Sequence, residues 1–343
     1  MDRVGEEPFP TRFNGGQMSN PLGLGRRWWA RRQQRWAPYL FISPFYILFL
    51  TFGLFPIVFS LVLSFHSWRA VGGLGTMRWI GLENYKFLLT DPWFWQSLWN
   101  TFVLLLISGL PQHMIALPLA FLLNRRLPPR VRHLYSASYF FPYITSTVAI
   151  SLVFGTIFGL HYGILNQLLN YLASATWSRW LFGWLKASLP INWLGKAVYI
   201  KPSIAIVVLW HWFGWNTILY LAGLQTIPKE LFEAAKVDGA NVWHEFWHIS
   251  LPLLRPIIFF AVTMTIIGNM QLFDEPFILT GGTGGVGRAG MTVAIYLYRT
   301  AFEWTQMGVA AAMSWLLFAF IGVLSLLNYL LLGRAALARR GEE

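Results

Sequence analysis

Two stretches of this sequence match motifs that carry chemistry. His244-Glu245-Phe246-Trp247-His248 fits H-E-x-x-H, which on a helix sets two imidazoles on one face for zinc, with the glutamate as general base. Asp274 or Glu275 would supply a third ligand, and the reaction would be metal-assisted peptide hydrolysis. Gly282, Gly284 and Gly287 spell G-x-G-x-x-G, a turn that brings backbone against a pyrophosphate when it joins a strand to a helix. Neither match has the setting its chemistry needs. The histidines fall in a loop between apolar stretches, where the polar face of a short helix accounts for them. No strand precedes the glycines, so a flexible glycine-rich loop is expected. No G-x-x-x-x-G-K-[ST] occurs, so the chain carries no P-loop. Zero cysteines exclude disulfides, thiolate metal sites and cysteine nucleophiles.

The elements that must position these residues are set by composition. Of 343 residues, 56% are hydrophobic and 12% charged, which excludes a water-facing globule. A crossing of the bilayer needs roughly 20 apolar residues, and six stretches qualify: 38–66, 96–123, 134–159, 203–226, 253–275 and 307–333. Pro56, Pro111 and Pro118 lie inside them, as membrane helices tolerate. The net charge of +12 raises nucleic-acid binding. The basic residues, however, flank apolar spans, so membrane lipid and not nucleic acid is the expected partner. Most of them lie in the tail 1–37 and in alternate loops after it, which places that tail and the 334–343 tail in the cytoplasm. The first apolar run is too long for a cleaved signal peptide. Residues 1–25 read as disordered, and the long exterior segment 160–202 as holding a helix on the membrane surface or under a partner.

Between the fourth and fifth spans, residues 227–256 have the periodicity of two short helices. Glu230, Leu231 and Ala234 begin the first, and Gly239 ends it as a left-handed cap. The second runs from an Asn241 N-cap to Ile249 and stops before Pro252. A hairpin this small buries no core of its own, so it must dock against something.

Glu233-Ala234-Ala235, Asp238-Gly239-Ala240, Phe246, Ile249, Leu251-Pro252 and Pro256 resemble the EAA loop of permeases from ATP-binding-cassette importers. LYLAGLQTIPKELFEAAKVDGA, the later FDEPFILTGG and the opening APYLFISPFYILFLTFGLFPIVFSLVLSF are similar to the maltose and glycerol-phosphate group of carbohydrate permeases. The resemblance covers 38–333. It implies an all-α membrane protein, a six-helix permease bundle with a cytoplasmic coupling loop at 227–256, in the bacterial inner membrane. It implies a second homologous permease, two cytoplasmic ATPase subunits that hold ATP and Mg, an extracytoplasmic solute-binding protein and a sugar as solute. This chain itself would hold no cofactor and would be no enzyme.

Within the loop, the resemblance implies that Glu233, Ala234, Ala235, Asp238, Gly239, Ala240, Phe246, Leu251 and Pro252 transmit ATPase closure to the bundle. Glu233 would pair with an ATPase cation, the alanines would permit close approach and Gly239 would supply the turn. In maltose-type permeases the helices before and after the loop hold the solute, and the matching positions are Trp212, Trp215, Thr265, Gly268, Asn269 and Leu272. Trp215 and Gly268 depart from that pattern in residue type. Indole faces suit the C–H surface of a sugar, while the amides of Asn216 and Asn269 offer donor and acceptor to hydroxyls. The alternative use of these residues is interface anchoring and interhelical amide bonding. Asp274 and Glu275, at the outer end of the fifth span, fit either gating or plain solvation. A proton-coupled secondary carrier would need more spans or inverted repeats and an intramembrane carboxylate relay.

Overall fold

In lipid each backbone polar group must be satisfied within its own segment, which forces the apolar stretches into helices. The computed structural model describes residues 36–126, 128–175 and 178–333. The expected disorder of 1–25 and most of the orienting arginines lie outside the described residues. The chain divides into two compact units, Met1–Phe59 and Ser60–Glu343. Five helices are long and apolar enough to cross a membrane: Trp36–Ser64, Pro92–Arg125, Ala197–Leu224, Arg255–Leu279 and Met307–Gly333. They are spans one, two, four, five and six.

Span three is a bent pair, Leu134–Ile144 and Thr147–Ile157, meeting at 91°, where a continuous helix over 134–159 was expected. Pro142 has no N–H for the carbonyl four residues earlier. The Thr145 hydroxyl then bonds the Phe141 carbonyl at 2.9 Å, and the chain leaves helical dihedrals at Thr145. Span five is also interrupted, at 271–273, between Arg255–Met270 and Asp274–Leu279.

Proline placement accounts for three of the widened turns, though not for those at Arg299–Glu303 and Tyr329–Gly333. Five-residue-closed π turns at Phe49–Leu54, Leu105–Gly109 and Glu245–Ser250 each come just before a helical proline, namely Pro56, Pro111 and Pro252. Such a turn shifts the carbonyl register so that the missing N–H and the ring clash are absorbed without ending the helix. The hairpin's second helix therefore does not stop before Pro252. It continues through Leu251–Leu253.

Three clusters make the core. One joins spans two, five and six through Leu98, Leu105, Met270, Met313 and Leu317. A second packs span four on the Thr147–Ile157 helix through Ile150, Ile204 and Val208. A third, at the hairpin end, holds Ala120, Phe121, Tyr220, Leu224 and Phe246. A departure from all-α is a two-residue ladder, His66–Ser67 against Arg78–Trp79. In the segment 160–202 the expected helix is Ile164–Ser174. Buried Asn166 fastens it by donating to the Ile191 carbonyl at 2.9 Å and accepting from the Ile191 N–H at 3.1 Å.

Within the first cluster, the hydroxyl of buried Tyr296 donates to Asp91 at 2.5 Å, while Asp91 also caps the helix that opens span two. Burial, and then the Asp91 bond and charge, hold the Tyr296 phenol above its ordinary pKa. A hydrogen bond to a charged partner contributes about 1.5–3 kcal/mol. Tyr296→Phe should therefore lower the melting temperature of the detergent-extracted protein, with Asp91→Asn giving a similar loss and the double variant little more. Additive losses would show that the two groups act independently.

Candidate functional site

Span four is a 28-residue helix that carries aromatic and amide side chains midway along its length. Trp212, Trp215 and Asn216 lie roughly 12–18 Å along the helix from Leu224 at 1.5 Å per residue, which is mid-bilayer depth for a crossing of this length. Span five brings Thr265, Gly268, Asn269 and Leu272 to the same level. All seven residues line one cavity of about 190 Å³, together with Gln112 from span two and Thr147 from the bend of span three. Close packing makes this possible: Gly109 faces Thr265, and Gly223 faces Leu254 and Ile257, the small-residue contacts that let membrane helices approach.

The aromatic wall is larger than the sequence suggested. Tyr143 stacks on Trp215 at 4.8 Å and meets Trp212 edge-on at 5.4 Å, with Phe140 beside Trp215 at 6.3 Å. Tyr143 belongs to the aromatic run 139–143, on the half of span three that packs along span four, where Tyr139 likewise meets Phe213 edge-on at 5.8 Å. The amides are engaged within the bundle. Asn269 accepts from the Ser108 hydroxyl at 2.8 Å and donates to the Thr265 carbonyl at 3.1 Å, and Asn216 donates to Gln112 Oε1 at 3.1 Å.

A further group went unread in the sequence. His211 Nδ1 and Glu275 Oε1 are 3.3 Å apart, and both residues are 3% exposed. Glu275 lines the cavity and is not plainly solvated, whereas its neighbour Asp274 is exposed at the cavity's edge. His211 lies in the run WHWFGW, where periodicity alone does not distinguish an interface anchor from a buried ionisable pair.

At the hairpin, the first helix is Lys229–Val237. Gly239 has φ +80°, its N–H bonds the Lys236 carbonyl, and the Ala240 N–H reaches the Ala235 carbonyl at 2.8 Å. That pair of bonds is a Schellman cap, which glycine enters without a Cβ penalty. Asn241 then caps the second helix by accepting from the His244 N–H at 2.9 Å, as expected. Glu233, Ala234, Asp238 and Gly239 are exposed, while Ala235, Ala240, Leu251 and Pro252 are half-buried. Phe246 instead points into the bundle, edge-on to Phe121 at 5.1 Å. Among the hairpin's exposed polar residues are apolar ones: Val237 is 88% exposed, and Trp243 and Trp247 stack on each other at the surface.

The H-E-x-x-H match does not form a zinc site. His244 and His248 stack on the exposed side, but Glu245 is buried on the opposite side and paired with Arg125 at the end of span two. A general base must share the metal's face, and this one is turned away. Among the described residues no group of three or more His, Asp or Glu is placed to hold a metal. The glycine run follows a helix, Asp274–Leu279, and not a strand. Its far end is tied to span two: Gln96 donates to the Gly287 carbonyl at 2.8 Å, and Asn100 to the Arg288 and Met291 carbonyls at 2.9 and 3.0 Å.

A helical bundle interrupted at mid-depth around a cavity, with a capped polar hairpin at one end, is the architecture of an importer permease. The chain belongs to the family of binding-protein-dependent transport system inner membrane components, which matches residues 116–337. It is 34% identical to the arabinooligosaccharides transport system permease protein AraP of Bacillus subtilis, over 87% of this chain and 88% of that protein. It is 34% identical to the lactose transport system permease protein LacF of Rhizobium radiobacter, over 85% and 92%. The trehalose/maltose transport system permease protein MalF of Thermococcus litoralis is 31% identical, over 86% and 93%. Its fold is that of a chain in the crystal structure of a bacterial alginate ABC transporter in complex with an alginate pentasaccharide-bound periplasmic protein, with TM-score 0.71 and 19% identity over 90% of this chain and 98% of that one. The chain is thus a multi-pass permease subunit of an ABC importer, not an enzyme, and ATP hydrolysis belongs to separate subunits.

Proposed function

We propose that this permease passes a neutral sugar or short oligosaccharide through the cavity between spans four and five, with Trp212, Trp215 and Tyr143 as the stacking wall. The observation that carries this reading is the convergence of those rings with Gln112, Asn216 and Asn269 at mid-depth, since polar groups there are costly without a use and an aromatic lining with a few polar groups is the make-up of a ligand pocket. The relatives named for arabinooligosaccharides, lactose and trehalose/maltose support it. Asn216, Thr265, Gly268, Asn269 and Leu272 complete the pocket. The assembly would pair this chain with a second permease, two cytoplasmic ATPases that hold ATP and Mg, and an extracytoplasmic solute-binding protein. Both termini would be cytoplasmic, in the inner membrane. Glu233, Ala234, Ala235, Asp238, Gly239 and Ala240 would meet the ATPase, with Trp243, Trp247 and Val237 as the apolar part of that contact, while Phe246, Leu251 and Pro252 would hold the hairpin to the bundle.

The test is ATP-dependent uptake of labelled lactose, maltose and arabinotriose by the assembled transporter in vesicles. Uptake of at least one saccharide is expected, and uptake of none, alongside a functional ATPase, would overturn the sugar assignment. Aromatic stacking contributes about 0.5–1.5 kcal/mol, so Trp215→Ala should cut uptake by about two- to tenfold without reducing assembly. Unchanged uptake would move the pocket elsewhere.

A further inference from the structure

We propose that the Arg125–Glu245 ion pair is a mechanical link that makes the coupling hairpin and the second half of span two one lever, so that motion of the hairpin reaches the cavity wall at Gln112. The inference rests on the permease reading above. Glu245 is the acid of the H-E-x-x-H match and is 1% exposed, on a hairpin whose neighbouring Trp243 and Trp247 are open to solvent. An ionised carboxylate that deep is costly without a charged partner, and Arg125 supplies one from the last turn of span two.

A second contact lies beside the first. Phe121, one turn earlier on the same helix, packs on Phe246, the next residue of the hairpin. Two adjacent hairpin residues are therefore gripped by two residues one turn apart, which blocks rotation as well as separation. The π turn Glu245–Ser250 begins at Glu245, a widened turn of the kind often found at functional sites. The pair lines a recess of about 570 Å³ with Phe121, Leu224 and Phe232, so it sits where the hairpin meets the bundle.

The other arm of the lever ends at the cavity. The helix Leu110–Arg126 carries Gln112, which lines the cavity and holds Asn216, roughly 20 Å from Arg125 at 1.5 Å per residue. Fully buried Ala116 and Ala120 keep the turns between them against span four. One helix thus touches both the hairpin and the solute pocket, and the ion pair decides whether the hairpin's movement is delivered to it.

The absence of cysteine from the chain provides a reporter. A Cβ at Gly268, on the cavity wall, meets nothing within 4 Å, so Gly268→Cys reads cavity access through labelling by N-ethylmaleimide. In the complete transporter in vesicles, ATP with vanadate should change that labelling rate roughly tenfold, within the range of ordinary site-to-site coupling. Arg125→Glu or Glu245→Arg alone should reduce the change to under about twofold, and the two together should restore it. Assembly is scored by co-purification of the ATPase, and where a reversal fails to assemble, Glu245→Gln, which keeps the shape and removes the charge, gives the same reading. Single variants that assemble and keep the full change, or an assembled double variant that restores nothing, would overturn the link. Labelling that ignores ATP with Arg125 and Glu245 both intact would overturn the permease reading along with it, so the two failures are distinct.

Discussion

Gly214→Val should strongly destabilise the folded bundle. Gly214 lies on span four where the first half of span three crosses it. A Cβ built there falls inside the van der Waals shell of the Tyr139 carbonyl oxygen and 2.7 Å from its carbon. The obstacle is backbone, which no rotamer change can move aside, so the helices must part and the ring cluster around Tyr143 and Trp215 with them. Overpacking of this kind costs about 3 kcal/mol or more, a large share of the 5–15 kcal/mol that holds a typical domain together. The expected result is little monodisperse protein after detergent extraction, with even Gly214→Ala clearly destabilised. Gly268→Ala, also on the cavity wall but with open space around its Cβ, should extract like the unaltered chain. Normal extraction and melting of Gly214→Val would show that the span three–span four crossing is placed wrongly.

The hairpin variants should separate function from folding. Gly239 holds φ +80° with no atom within 4 Å of a built Cβ, so a substitution there meets no clash. Its whole cost is the left-handed backbone, about 1–3 kcal/mol for a β-branched residue. Gly239→Val should insert and assemble its spans normally, yet lose most of its ATP-driven uptake because the hairpin's tip changes direction. Gly239→Asn, a residue that tolerates this conformation, should keep most of it. Glu233→Ala should weaken transport and the ATPase response to solute, since exposed Glu233 makes no ion pair among the described residues and would meet a partner's cation. Reconstituted uptake and ATP hydrolysis measured side by side decide the matter. Full transport by Gly239→Val and Glu233→Ala together would remove the hairpin from the coupling path.

Local patterns in the sequence carried the spans, the hairpin and both of its caps. A run of apolar residues in lipid has one backbone solution, and Gly239 and Asn241 act within a few residues of themselves, so chain order alone determined them. The cavity's span-four and span-five residues were legible through the resemblance to maltose-type permeases, in which the helices before and after the hairpin hold the solute, and not through any local pattern of their own. What the tertiary structure decided involves partners far apart in sequence. His211 and Glu275 are 64 residues apart and Asn216 and Gln112 are 104 apart, so neither pairing has a local signature. The bend at Thr145, which brings Thr147 to the cavity, depends on what span three packs against, because helix propensity and one proline determine where a helix is weak but not the direction in which it folds back. The side of the hairpin on which Glu245 lies was settled the same way. The motif H-E-x-x-H records spacing, whereas burial against Arg125 and Phe121 turned the carboxylate from a plausible metal-site base into the bundle's hold on its hairpin, since a buried charge goes where its counter-charge is.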